Sequence, residues 1–389
     1  MPSIPALAHW INTILLTAMP TLSPWTARRL TDWLVSILLM HAITTRVVAW
    51  GCALGQSTAA RAASHERRLR RTYRDPQLSW SLHRAILTTT LRFAPAEPVT
   101  VIIDETTHTD HWTLLTAALW YHGRAIPLAW VLHPGNTRRA TAFWMDTATL
   151  LDRVRQVIPA TTPVIVVADR AFGCPVFTDQ VAAHGWCWVV RVQGHTRLLL
   201  RGHTEVPIRT LVARGQRVAR RGQAFKKAGW RTVTVVATWA ASAQEPLLLV
   251  SNLADIGMIQ HGYGRRYAIE ALFRDWKTGG WQWEASQSRS QTTQEALVLG
   301  MAIATVLVLL VGTAEAQDGL AERGDRPSPR RPWAARDSLF RVGRYGVLRW
   351  LWTGTMPALG AGLSLAGTVF HERWATTVTR GGRLGTAMP

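Results

Sequence analysis

Lysine is nearly missing from this 389-residue chain and occurs only as Lys226, Lys227 and Lys277. Arginine carries the rest of the positive charge, as expected from a GC-rich coding sequence, which leaves Lys277 as a conspicuous exception. Acidic residues are also scarce, 24 against 44 basic ones, for a formal charge of +20. A charge so large, spread along the chain, points to a polyanionic partner. Nucleic acid fits best, since neutralised phosphates release counterions; an anionic membrane surface is the weaker fit. Only three cysteines are present, Cys52, Cys174 and Cys187. Odd in number and widely spaced, they support neither a disulfide framework nor a cysteine zinc site. The pairs within His108 to His111, and His184 with Cys187, lack a second half of a metal site and read as loop or core residues.

No basic residue precedes Arg28, so the apolar stretch at Ile14 to Leu16 has no charged start of the secretory type. One apolar run, Ala296 to Gly312, approaches membrane-spanning length. It follows the polar segment WEASQSRSQTTQE and has no companion span, so a buried helix is expected, in a cytoplasmic protein with no membrane contact. No glycine fingerprint follows the first long strand, which excludes a dinucleotide-binding fold.

A hydrophobic share of 48% supplies a substantial core. Residues 1–95 carry apolar positions at helical spacing, including Leu30, Trp33, Leu34, Ile37 and Leu38, broken by polar turns such as GQSTAARAAS. Within this helical domain HERRLRRTYRDP concentrates Arg67, Arg68, Arg70 and Arg71, candidates for contact with a DNA backbone. A linker is expected around Ala94 to Pro98. Residues 96–193 then read as alternating strands and helices. VTVIID forms a buried strand ending at Asp104, followed by a hairpin of Thr113 to Tyr121 with Ile126 to Leu132. A helix is expected from Ala140 to Val157, then PVIVVAD, a strand ending at Asp169, followed by Arg170, and finally the strand WCWVVRV. Residues 194–253 form a basic, β-rich insertion. Residues 254–313 contain the segment YGRRYAIEALFRDWK and the apolar helix. Residues 314–389 comprise an exposed connector, AEAQDGLAERGDRPSPRRPWAARD, a helical region from Ser338, and a loose end after Arg380.

In YGRRYAIEALFRDWK, Tyr263, Arg266, Glu270 and Lys277 follow at offsets of three, four and seven, predicting one helical face. Such a face sets one carboxylate among two cations and a phenol. Strand ends on one edge of an open sheet can bring Asp104 and Asp169 together if their strands are neighbours. Two close aspartates repel, and a hard cation such as Mg²⁺ or Mn²⁺ removes that penalty. Glu270 would complete a site for two ions about 3.5 to 4 Å apart, suited to in-line displacement at phosphorus, with Arg266 and Lys277 beside the phosphate. Glu105, one position on, should face the other side of the sheet.

These residues resemble the DDE transposases of bacterial insertion sequences, in the group with the signature Y-(2)-R-(3)-E-(6)-K. Tyr263, Arg266, Glu270 and Lys277 meet every interval, VIIDETT and VVADRAFG match the two aspartate motifs, and a β-rich insertion before the glutamate is a family trait. The similarity covers roughly residues 98–312. It implies an α/β (α+β) fold with a ribonuclease-H-like catalytic core interrupted by the insertion and preceded by an all-helical N-terminal domain. It further implies that Asp104, Asp169 and Glu270 bind two Mg²⁺ or Mn²⁺ ions and cleave DNA at transposon ends, the freed 3′-hydroxyl then attacking target DNA. Tyr263, Arg266, Lys277 and Arg170 would contact the DNA. The N-terminal helices would bind terminal inverted repeats, and the active form would be a homodimer. A purely hydrolytic nuclease and an inactive DNA-binding derivative would share the same residues. Two departures stand out: DRAF replaces the DRGF of some relatives, and Trp239 or Trp230 would have to serve where a tryptophan receives a flipped base, although packing is the expected role of both.

Overall fold

The computed structural model describes residues 4–54, 62–94, 97–135, 140–202, 204–321, 338–355 and 362–365. Five helices come first: α1 (Ile4–Ala18), α2 (Pro24–Met40), α3 (Thr45–Leu54), α4 (Ala62–Thr72) and α5 (Trp80–Thr90). Local chemistry sets the start of α2: Pro24 needs no N–H partner in the first turn, and Ser23 accepts from the Thr26 N–H. Leu7, Ile11, Leu30, Trp33, Leu34 and Ile37 are fully or almost fully buried, as the helical spacing predicts. Of the polar turn GQSTAARAAS, residues 55–61 lie outside the described residues, while its last three residues begin α4. Residues 95–96 of the linker also lie outside them.

The strands β1 (Leu91–Arg92), β2 (Val99–His108), β3 (Trp112–Tyr121) and β4 (Arg124–Pro134) lead to helix α6 (Ala140–Arg155) and strand β5 (Val164–Ala168). Helix α7 (Pro175–Ala183) and strand β6 (Cys187–Arg191) follow. The expected hairpin is present, its turn made by His122 and Gly123, both at positive φ. Leu150, Leu151 and Val154 of α6 are completely buried. The segment between β6 and the glutamate is β-rich, with β7 (Arg197–Leu199), β8 (Glu205–Pro207), β9 (Arg217–Ala224), β10 (Arg231–Thr238) and β11 (Leu247–Ser251). These strands do not form a separate sheet. Strand β11 pairs antiparallel with β6, so a single ten-stranded sheet runs β4-β3-β2-β5-β6-β11-β10-β9-β7-β8.

Helices α8 (Ile256–Gly264), α9 (Tyr267–Arg274), α10 (Gln291–Ala321) and α11 (Leu339–Thr353) complete the fold, with the two-residue strand β12 (Leu363–Ser364) pairing with β1. The apolar run lies in α10, which by length and composition could cross a membrane; 89% of its apolar window is buried inside the protein. Its Thr305 hydroxyl accepts from the indoles of both Trp276 and Trp281, tying α10 to the segment after α9. Helix α11 packs so tightly on α10 that a Cβ at Gly343 would overlap the carbonyl oxygen of Val308. Three expectations need correction. The connector does not begin at residue 314: α10 continues to Ala321 because Ala, Glu and Gln sustain a helix, and Glu315 pairs with Arg349 at 2.5 Å. The rest of the connector, residues 322–337, and the end after Arg380 lie outside the described residues. The strand VTVIID does not stop at Asp104 either, because antiparallel pairing with β3 continues to His108 opposite Trp112. The Tyr263 helix, finally, is interrupted, with α8 ending at Gly264 and α9 starting at Tyr267.

Candidate active site

Strands β2 and β5 are parallel neighbours with Ile103 opposite Ala168, and β5 is parallel to β6 with Ala168 opposite Val190. The next residue on each strand is therefore Asp104, Asp169 and Arg191. They stand side by side at the same level of the sheet, adjacent strands being about 4.8 Å apart, and same-level positions project to the same face. That face is the one α8 covers, since Gly262 lies over Ile165, Val167 and Val189. Each apolar run thus ends in a charge where its strand leaves the parallel ladder.

The helix carrying Glu270 packs on β2 and β4. Arg266 joins it to the sheet: Nη1 donates to Asp104 Oδ2 at 2.8 Å and Nη2 donates to Glu270 Oε1 at 2.6 Å. Asp104 Oδ1 accepts from the Glu105 N–H, and Asp169 Oδ1 accepts from the Ala171 N–H. Burial pushes the Asp104 carboxyl up to about 6; Arg266 opposes that rise, and the negative charges of Asp169 and Glu270 add to it. Asp169 and Glu270 both lie close enough to act on the Asp104 carboxyl. Among the described residues, no three His, Cys, Asp or Glu side chains already close around one point as a ligand cage. What the structure provides instead is a set of hard oxygen donors to which positive charge is drawn, with the Arg266 guanidinium lying between two of them. That donor chemistry suits a divalent cation of the Mg²⁺ type.

The four-residue helical face is only partly realised. Helix α8 ends at Gly264 and α9 starts at Tyr267, while Asp275 to Gly279 form a π-helical turn. The extra residue per turn rotates Lys277 away from the line of Arg266 and Glu270, and its ammonium stands 3.7 Å from Glu284. Tyr263 is buried beneath the site. Burial raises its phenol pKa, opposed by Arg266 and Arg191. Arg170 donates to Glu245 at 2.6 Å, and Arg191 hydrogen-bonds the same Glu245 oxygen. Arg67, Arg68, Arg70 and Arg71 are all exposed on α4, where Leu69 and Thr72 turn inward; Arg70 pairs with Glu66 at 2.7 Å. His108 is buried and stacks on Trp283 with centroids 4.4 Å apart, and His184 stacks on Trp186, so both serve packing. Trp239 packs against the core and donates to the Ala243 carbonyl, while Trp230 is half-buried.

Sequence reasoning missed Arg191, Glu245 and Tyr267. Arg191 was legible as the first charge after an apolar run on a strand next to Asp169. Glu245, in the β10–β11 turn, left no local signal. Tyr267 sits beside Arg266 and is 66% exposed, an aromatic surface at the edge of the site.

The family model described as transposase DDE domain matches residues 96–307, more than half of the chain. The match spans Asp104, Asp169 and Glu270. The chain belongs to this family, whose members act in DNA transposition and recombination. A comparison with curated proteins gives no match.

Proposed function

We propose that this protein is a metal-dependent transposase that cleaves DNA at transposon ends and transfers the resulting 3′-hydroxyl into target DNA. The observation that carries the reading is the register that sets Asp104 beside Asp169 under the helix bearing Glu270. Support for a ribonuclease-H-like core comes from the strand order β4-β3-β2-β5-β6, an antiparallel hairpin leading into parallel strands. Asp104, Asp169 and Glu270 would hold two Mg²⁺ or Mn²⁺ ions, which supply activation of the attacking oxygen and stabilisation of the leaving one. Arg266 positions Asp104 and Glu270 and brings fixed positive charge to the scissile phosphate. Tyr263 lies beneath Arg266 and Arg191 and keeps its proton at neutral pH, so its hydroxyl is available as a donor to a phosphate oxygen. The exposed arginines of α4 would grip the backbone of the terminal inverted repeats, and Lys277 would reach the DNA further along. A homodimer that synapses two ends, acting in the cytoplasm, completes the proposal.

The test is a Glu270→Gln variant assayed on DNA carrying the inverted repeats that flank the reading frame. Binding in EDTA is expected to match the wild type while Mg²⁺-dependent cleavage disappears; cleavage at the wild-type rate would refute the assignment. Pre-cut ends supplied with a plasmid separate the activities. Insertion products support strand transfer, and hydrolysis without insertion overturns it.

A further inference from the structure

Glu245 and Arg191, to which the sequence assigned no role, meet Arg170 at one point. Glu245 precedes Pro246 in the turn between β10 and β11, at the return of the insertion to the central sheet. One of its oxygens, Oε1, accepts from Arg170 Nη2 at 2.6 Å and from Arg191 Nη2. Arg170 follows Asp169 directly, and Arg191 is one strand away at the level of Asp169. The same two arginines that an anion would need are therefore converged on a single oxygen, at the rim of the acidic site. The Glu245 side chain is 56% exposed, so it can swing out at little cost. The Arg170 Nε–H, by contrast, is buried and has no acceptor among the described residues, a donor direction that Glu245 leaves unused.

Resting on the transposase reading, we propose that Arg170 and Arg191 form a seat for one DNA phosphate beside Asp169, and that Glu245 fills this seat when DNA is absent. A carboxylate oxygen then stands where a non-bridging phosphate oxygen will lie. A phosphate offers more oxygens than Glu245 presents to these arginines, including one for the Arg170 Nε–H, and exchanges places with Glu245 as the DNA arrives. The arrangement links the insertion to the active site: releasing the β10–β11 turn accompanies correct seating of the strand next to Asp169. The turn thereby reports whether DNA is in place, and it keeps the two cations from holding stray anions.

The experiment measures binding of a fluorescein-labelled, mixed-sequence DNA duplex to the full chain by anisotropy, in EDTA, over a salt series. Glu245→Gln should bind about threefold to tenfold tighter than wild type with an unchanged salt slope, because both proteins finally make the same phosphate contact. An Arg170→Gln, Arg191→Gln double variant should lower the log-log slope by about 0.9, the signature of one phosphate. Adding Glu245→Gln to that double variant should change nothing. Asp179→Asn, which removes an exposed acid paired with Arg231 and not with Arg170 or Arg191, is the charge control and should shift affinity much less. The proposal is overturned if Glu245→Gln behaves like Asp179→Asn, if its effect persists without the two arginines, or if the double variant keeps the full slope. A wild type that fails to bind DNA at all would instead defeat the transposase reading; normal binding with Mg²⁺-dependent cleavage, insensitive to Glu245, would leave that reading intact and remove only the seat.

Discussion

Replacing Asp104 by Asn should make the DNA-free protein more stable while abolishing its activity. The Asp104 carboxyl is held near 6 against an ordinary 3.8, chiefly by burial, and its side chain is only 16% exposed. A difference of this size makes the ionised form cost ~3 kcal/mol of folding free energy at neutral pH. Asn keeps a single acceptor oxygen, for the Glu105 N–H or for Arg266, and sets its NH2 against the other donor, so the loss of one hydrogen bond and of the attraction to a charge offsets about 2 kcal/mol. A net gain of about 1 kcal/mol remains. Its pH dependence follows from the sign of the shift. Between pH 3.8 and about 6 the folded wild type holds a proton that the unfolded chain has lost, so wild-type stability falls as pH rises through that window. The advantage of Asp104→Asn is therefore full above pH 7 and vanishes below pH ~4. Chemical unfolding of both proteins in EDTA at several pH values measures it. Adding Mn²⁺ at pH 7.5 should stabilise the wild type and leave the variant unmoved, narrowing the gap. An Asp104→Asn protein that is less stable than wild type at pH 7.5, or a difference independent of pH, would refute the reasoning.

Other consequences are as concrete. Gly343→Ala forces a methyl group into the Val308 carbonyl and should cost about 1–3 kcal/mol or more, read by denaturant midpoint; an unchanged midpoint would contradict the α10–α11 packing. Converting Arg67, Arg68, Arg70 and Arg71 to Gln should reduce the log-log salt slope of DNA binding by about 0.9 for each phosphate that α4 no longer neutralises. A slope equal to wild type would assign α4 another role. His41 and His83 are both pushed down to about 4, mainly by burial, with Arg344 adding at His41 and the Pro127 carbonyl opposing at His83. Because the unfolded chain binds these protons near 6.5, the stability they contribute is present above that pH and is lost as pH falls toward 4. In the Asp104→Asn background, where the opposing carboxyl is gone, stability should decline steadily from pH 6.5 to 4. A flat profile there would count against neutral, buried imidazoles.

Much of this architecture was legible because the physics is local. Continuous β-branched runs marked β2, β5 and β6, and the aspartates that end two of them marked the edge where Asp104, Asp169 and Arg191 gather. Arg191 escaped notice beside Asp169 because a strand-end arginine in a chain with so many arginines carries little contrast. The hidden features depend on distant partners. Strand β2 continues past Asp104 only because β3 remains alongside, and Glu245 reaches Arg170 across 75 residues of sequence. The interruption at Gly264 and the π-turn at Asp275 are likewise set by packing. Asp275 pairs with Arg124 on β4, and the indoles of Trp276 and Trp281 both seek Thr305 on α10, contacts that no i,i+4 spacing discloses. That is why Arg266 and Glu270 meet as the spacing says while Lys277 turns to Glu284.

The most direct test of the central claim is anomalous diffraction from crystals of the protein bound to DNA and soaked in Mn²⁺. Anomalous peaks are expected between Asp104, Asp169 and Glu270. Manganese bound elsewhere, with these three carboxylates making no contact to it, would contradict the account.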